Sequence, residues 1–178
     1  MRGPFLTLPN MVSLSRIPLS LAASAMLLLE RPVAMVILAS TAILTDWLDG
    51  FLARRSGTGS EWGRVLDPAS DKIGFAAFGA ALAASGRIPV WFLVFVLARD
   101  LLIALGGMLL RGRSATVPAS NIWGKAGTVV LSAYMVRQSL APSGVHLLLG
   151  LDALGLAALA ALTAAAASYA SRAGAAGS

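Results

Sequence analysis

Two pairs of aspartates define the chemistry open to this chain. Asp46 and Asp49 stand three positions apart and Asp67 and Asp71 four apart, in a sequence that is 57% hydrophobic and only 12% charged. Residues three or four apart on a helix share a face. If the polar stretch at 54–66 joins two antiparallel neighbours, all four acids converge on one pocket. Carboxylates that close in a low-dielectric setting repel one another, and several must protonate unless cations neutralise them. Two divalent ions balance the four charges, and an oxygen-only ligand set without His or Cys suits Mg2+ or Mn2+. A metal pair about 3.5–4 Å apart grips a pyrophosphate and stabilises both the attacking and the leaving oxygen of a displacement. Gly50, Ala53 and Gly63 remove bulk where a nucleotide would lie against backbone, and Arg54 offers phosphate a bidentate partner. The expected occupant is a nucleotide diphosphate.

The elements that must carry these residues are apolar helices. A mean hydropathy of +0.79 lies outside the usual soluble range, so the expectation is an all-α membrane protein. A helix needs roughly 20 apolar residues to cross the hydrocarbon. Six such spans are expected, at about 11–29, 33–53, 67–86, 90–110, 125–141 and 145–170, within a single domain covering 1–178. Glu30-Arg31-Pro32, Gly86-Arg87-Ile88-Pro89 and Ala141-Pro142-Ser143-Gly144 interrupt the apolar runs. Residues 1–10 read as a short interfacial segment, and Pro4 and Pro9 argue against a signal peptide.

Charge sets the orientation. Arg2, Arg54, Arg55, Arg64, Arg111, Arg113, Lys125 and Arg172 fall on one side of the partition, and Arg31, Arg87 and Arg137 on the other. The positive-inside tendency puts both termini and the acidic pocket on the cytoplasmic side. The net charge of +6 comes without any basic run interleaved with aromatics, so no nucleic-acid partner is expected. The chain has no cysteine and therefore neither disulfides nor thiolate metal sites.

Asp46-x-x-Asp49-Gly50-x-x-Ala53-Arg54, then eight residues, then Gly63-x-x-x-Asp67-x-x-x-Asp71, resembles the signature of the CDP-alcohol phosphatidyltransferase family, with every specified position present. "LPNMVSLSRI" is similar to the family's opening Pro-Asn-x-x-Thr/Ser-x-x-Arg pattern, and "VPASNIWGKAGT" resembles its later Pro-Ser-x-x-Gly-Lys segment, with Ala119 inserted between Pro118 and Ser120. The resemblance implies a six-helix fold, usually a homodimer, that moves a phosphatidyl group from CDP-diacylglycerol to an alcohol and releases CMP. It also implies that Asp46, Asp49 and Asp67 bind metal, while Asp71 is either a fourth ligand or the base that deprotonates the acceptor hydroxyl. Gly50, Ala53, Arg54 and Gly63, with Thr58 or Ser60, would line the CDP site. The compartment expected is the inner membrane of a bacterium.

The acceptor is read from cations. Arg99, Arg111, Arg113 and Lys125 lie in or beside the fourth and fifth spans, and Arg16 approaches from the first. Such a cluster suits an acceptor bearing its own phosphate. Glycerol 3-phosphate is the first expectation, with inositol phosphate and phosphatidylglycerol as alternatives. Plainer readings stand beside these: Arg99-Asp100 as an intramembrane ion pair, Arg111 and Arg113 as orientation signals, Trp47, Trp62, Trp91 and Trp123 as an interfacial belt. His146 has no assigned role. A different class, a small cation transporter lined by acids, explains the carboxylates but not the glycines, alanine and arginine at fixed offsets from them.

Overall fold

The structure, a computed structural model, describes residues 8–56, 63–111, 122–140 and 148–175. These form six helices: α1 Leu8–Leu28, α2 Pro32–Ser56, α3 Gly63–Ala84, α4 Val90–Arg111, α5 Ile122–Leu140 and α6 Ala153–Ala175. The six expected elements are present in the expected order. The interfacial segment expected at 1–10 lies outside the described residues except for its last three, which open α1. The chain divides into two compact units, Met1–Ser85 and Gly86–Ser178.

Local chemistry ends the helices where the sequence punctuation predicts. Glu30 takes a left-handed conformation, φ 55°. Its N–H reaches Leu27 O at 3.1 Å while that of Arg31 reaches Met26 O at 2.9 Å, the paired bonds of a Schellman cap on α1. Pro32 then opens α2, where its missing N–H costs nothing. At the end of α3, Gly86 with φ 70° turns the chain, and Pro89 O accepts the first bonds of α4 from Phe92 and Leu93.

In the first unit α1 packs against both α2 and α3. Its buried stripe runs Ser13, Arg16, Ala23, Ser24 and Leu27, at helical spacing. Arg16 meets Asp71 and Ser20 meets Gly74, so α1 and α3 run past each other in the same direction, as an up-down-up trio requires. A methyl on Gly74 would sit 2.6 Å from Ser20 Oγ and 3.0 Å from Ser20 Cβ, so only glycine allows this approach.

In the second unit α5 and α6 form an antiparallel pair, and α6 also touches α4. Gly127 faces Leu162, Tyr134 faces Gly155 and Gln138 faces Asp152 along the seam. Phe92 of α4 stacks edge-on against Tyr134 with ring centroids 5.5 Å apart. Ala158 and Ala165 are fully buried on α6, which matches an Ala-rich last helix that packs closely.

The sixth helix begins later than the apolar pattern implies, at Ala153 instead of 145. Leu149 and Gly150 both take positive φ, 54° and 76°, in a tight turn closed by reciprocal backbone bonds between Leu148 and Leu151. Asp152 then caps the helix: its Oδ1 accepts from Gly155 N at 2.9 Å, and its carbonyl accepts the first helical bond from Leu156. Its Oδ2 accepts from Gln138 Nε2 at 2.9 Å and from Arg137. Arg87 donates to Ser139 O at 2.7 Å at the end of α5. Arg87 and Arg137, expected only as orientation signals, thus close polar groups at this end of the second unit.

The helices are 19 to 25 residues long, about 28–38 Å at 1.5 Å per residue. Among the described residues, no helix is both long and apolar enough to cross a membrane. The described surface is nonetheless rich in exposed aliphatic side chains, Val33, Leu102 and Val129 being the most open on α2, α4 and α5.

Replacing Asp152 by alanine removes the α6 cap and the acceptor shared by Gln138 and Arg137, a loss expected to reach about 2–3 kcal/mol from roughly 1 for the cap and 1–2 for the side-chain bonds. Asp152→Asn keeps a capping oxygen and should lose clearly less. Thermal melting of the purified protein in detergent, followed by helical circular dichroism, measures both; equal losses would show that the cap contributes nothing.

Candidate active site and family

The first unit brings one of the four aspartates into full view. Asp71 is the ninth residue of α3, and its Oδ1 accepts a hydrogen bond from Nη1 of Arg16 on α1. The two ends of this ion pair differ in exposure: the Arg16 side chain is 6% exposed and that of Asp71 55%. A guanidinium buried among helices needs a counter-charge, because burial without one costs several kcal/mol. Asp71 supplies such a charge through Oδ1 while more than half of its side chain stays exposed. Ser70, next to it, is 1% exposed and turned into the unit.

The remaining motif residues follow the backbone. Asp46, Asp49, Gly50, Ala53 and Arg54 lie on the last turns of α2, and Gly63 and Asp67 on the first turns of α3, with Gly63, Asp67 and Asp71 spaced by four along one continuous helix. Their side chains, apart from that of Asp71, lie outside the described residues, as do Thr58 and Ser60 altogether. Among the described residues α2 and α3 pack chiefly on α1, so α1 is the element that carries both halves of the motif. No group of three or more acidic or histidine side chains occurs among the described residues. The donor chemistry still fits a hard cation: every candidate ligand is a carboxylate, and the one described is half open, with one oxygen engaged by Arg16.

The cations expected to bind the acceptor belong to the second unit. Arg99 Nη1 donates to Asp100 Oδ1 at 2.8 Å, with side chains 11% and 35% exposed, so the plainer reading of that dipeptide as an ion pair holds within α4. Lys125 is exposed in the first turn of α5. Arg111 ends α4 with its side chain outside the described residues, and Arg113 lies outside them entirely.

Sequence reasoning missed the Arg16–Asp71 pair, having grouped Arg16 with the acceptor cations. The signal was available: Arg16 is the arginine of the "LPNMVSLSRI" segment, and a buried arginine on a helix beside an acid-rich one needs an anionic partner. The Asp152 cluster was missed too, since a single acid after a Leu-rich run resembles a simple boundary.

The profile of the CDP-alcohol phosphatidyltransferase family matches residues 6–168, through both units. A CDP-diacylglycerol–glycerol-3-phosphate 3-phosphatidyltransferase of Aquifex aeolicus is 32% identical over 129 residues, 71% of this chain and 72% of that protein. A cardiolipin synthase (CMP-forming) of Streptomyces coelicolor is 33% identical over 135 residues, 69% of this chain and 60% of its own length. A chloroplastic CDP-diacylglycerol–glycerol-3-phosphate 3-phosphatidyltransferase of Oryza sativa is 33% identical over 113 residues, 64% of this chain and 34% of its own. The profile match over nearly the whole chain, with a motif complete at every specified position on α2 and α3, makes this protein a member of the CDP-alcohol phosphatidyltransferase family.

Proposed function

We propose that the protein transfers a phosphatidyl group from CDP-diacylglycerol to the hydroxyl of a phosphate-bearing alcohol, glycerol 3-phosphate first among them, giving phosphatidylglycerophosphate and CMP. The observation that carries this reading is the complete motif from Asp46 to Asp71 laid on two helices that share α1, with Asp71 half open at its carboxyl end. The Aquifex relative is named for glycerol 3-phosphate, which favours that acceptor. A second reading, with phosphatidylglycerol as acceptor, draws on the Streptomyces relative, which is named a cardiolipin synthase. Inositol phosphate satisfies the same charge argument.

Asp46, Asp49 and Asp67 would hold two divalent cations, Mg2+ or Mn2+, with Asp71 beside them as the base, and the cations when bound supply charge neutralisation of the pyrophosphate and of the departing CMP. Gly50, Ala53 and Gly63 leave room for the nucleotide against the helix backbones, Arg54 pairs with its phosphate, and Thr58 or Ser60 closes over it. Asp71 accepts the proton of the acceptor hydroxyl. The alcohol oxygen then bonds to the phosphorus that carries diacylglycerol, and the bond from that phosphorus to the bridging oxygen breaks. CMP leaves with the bridging oxygen, and the proton passes from Asp71 to water. Arg99, Arg111, Arg113 and Lys125 hold the acceptor's own phosphate. Arg99 shares its charge with Asp100, which makes Lys125, exposed in the described structure, the sharper test of this group.

The site would work at the cytoplasmic face of a bacterial inner membrane, in a homodimer with both termini on that side. Three features support lipid as the solvent: the chain's mean hydropathy of +0.79, its many exposed aliphatic side chains, and the way exposed hydroxyls bond within their own helices. Thr41 donates to Ile37 O at 2.7 Å, Thr128 to Gly124 O at 3.0 Å and Thr163 to Ala160 O at 2.8 Å. A hydroxyl satisfied this way needs no water. A cation-transport role gains nothing from family membership.

The purified protein, given CDP-diacylglycerol, Mg2+ and a panel of alcohols, should release CMP with glycerol 3-phosphate as the best acceptor, and a chelator should abolish release; mass spectrometry of the lipid formed identifies the acceptor. Ion flux in liposomes without CMP would sink the assignment. Asp71→Asn should keep CDP-lipid binding while kcat falls by about 10²–10⁴, and near-normal turnover would remove Asp71 as the base. Lys125→Ala should raise KM for a phosphorylated acceptor several-fold with little change in kcat, as expected for about 1 kcal/mol of uniform binding lost.

A further inference from the structure

We propose that Arg16 is the positioning residue for Asp71, fixing one carboxylate oxygen so that the other is presented to the acceptor hydroxyl. The inference rests on the phosphatidyl transfer proposed above and goes beyond it by giving α1 a part in the reaction. Its basis is the asymmetry of the pair. The guanidinium end is sealed inside the first unit at 6% exposure, and the carboxylate end is 55% exposed. An open aspartate is free to turn among staggered rotamers. A base has to stand within about 2.6–3.2 Å of the proton it takes. Arg16 removes that freedom from the buried side.

Arg16 reaches one oxygen of the carboxylate from the buried side, and an arginine remains protonated at any working pH, so it orients the base without competing for the proton. The arrangement in which the acting group is itself oriented by a third group is general in catalysis. The helix contact explains how Arg16 keeps its place. Ser20 and Gly74 touch one turn further along the same two helices, and the missing Cβ of Gly74 lets α1 lie close enough for the guanidinium to reach. Two separate residues of α1, Arg16 and Ser20, therefore set the position of α3 at its acidic turn. The sequence reading assigned Arg16 to the acceptor's phosphate, and the two roles separate kinetically: a positioning residue acts on kcat and an acceptor ligand on KM.

The test compares Arg16→Gln and Arg16→Lys with the wild type, full-length in detergent, measuring CMP release and, separately, equilibrium binding of CDP-diacylglycerol without acceptor. Arg16→Gln should lower kcat by about 10- to 100-fold, the scale of a small misplacement at a reacting centre. KM for glycerol 3-phosphate and the CDP-lipid dissociation constant should stay within about threefold. Arg16→Lys, which restores the charge, should recover much of the loss. A rise in acceptor KM at unchanged kcat, or a lysine variant no better than glutamine, would overturn the proposal. If Arg16→Gln elutes as aggregate, Gly74→Ala decides, because its methyl pushes against Ser20 and moves Arg16 away from Asp71; a kcat-only loss of about 3- to 10-fold supports the role, and unchanged kcat in a folded Gly74→Ala protein refutes it. Wild-type protein that releases no CMP with any acceptor would refute the underlying transfer reaction, whereas normal wild-type turnover with a normal Arg16→Gln variant would refute this inference alone.

Discussion

The close passage of α1 along α3 governs the first unit. Gly74 offers no Cβ, so Ser20 settles against its backbone, and one turn away Arg16 reaches the carboxylate of Asp71. Widening that gap by the thickness of a methyl group would draw Arg16 away from this counter-ion. The small residue and the ion pair thus depend on each other. Because α1 also carries α2, the same contact decides where the two halves of the acidic motif stand relative to a common support.

The second unit solves a related problem with different groups. Gly127 and Gly155 let α5 and α6 approach, and Tyr134 and Phe92 fill the space beside them. Asp152 gathers the polar groups at one end, capping α6 and accepting from Arg137 and Gln138. In each unit a buried charged residue lies where two helices meet beside a glycine. In an apolar chain such charges are tolerated only where geometry supplies a partner, and glycine is what makes the approach close enough. The two differ in exposure: the Asp152 side chain is enclosed, whereas that of Asp71 is more than half exposed.

That difference separates structure from chemistry. An enclosed carboxylate with several donors is a fastener. A carboxylate held by one partner and still exposed, as Asp71 is, has room for a second one. Membership of the CDP-alcohol phosphatidyltransferase family supplies the reaction class, and the acceptor remains the variable on which the relatives themselves diverge, one named for glycerol 3-phosphate and another as a cardiolipin synthase.

Much of this was legible in the sequence. Apolar run lengths and Pro/Gly punctuation located six helices, since both are local properties of the chain, and the fixed spacing of eight residues between Asp46 and Asp71 identified the family. The start of α6 was not legible: a run of leucines reads as helix, and only the positive φ of Leu149 and Gly150 with the Asp152 cap shows that it turns first. Nor was the partner of Arg16, which is 55 positions away in the chain. The sequence by itself determined the helices, the motif and the chemistry those residue types allow, because spacing along one helix is set by backbone geometry alone. Which cation meets which acid was decided only by tertiary structure, because that depends on how closely two helices approach, and here the approach is set by the hydrogen atom at Gly74 where any other residue would place carbon.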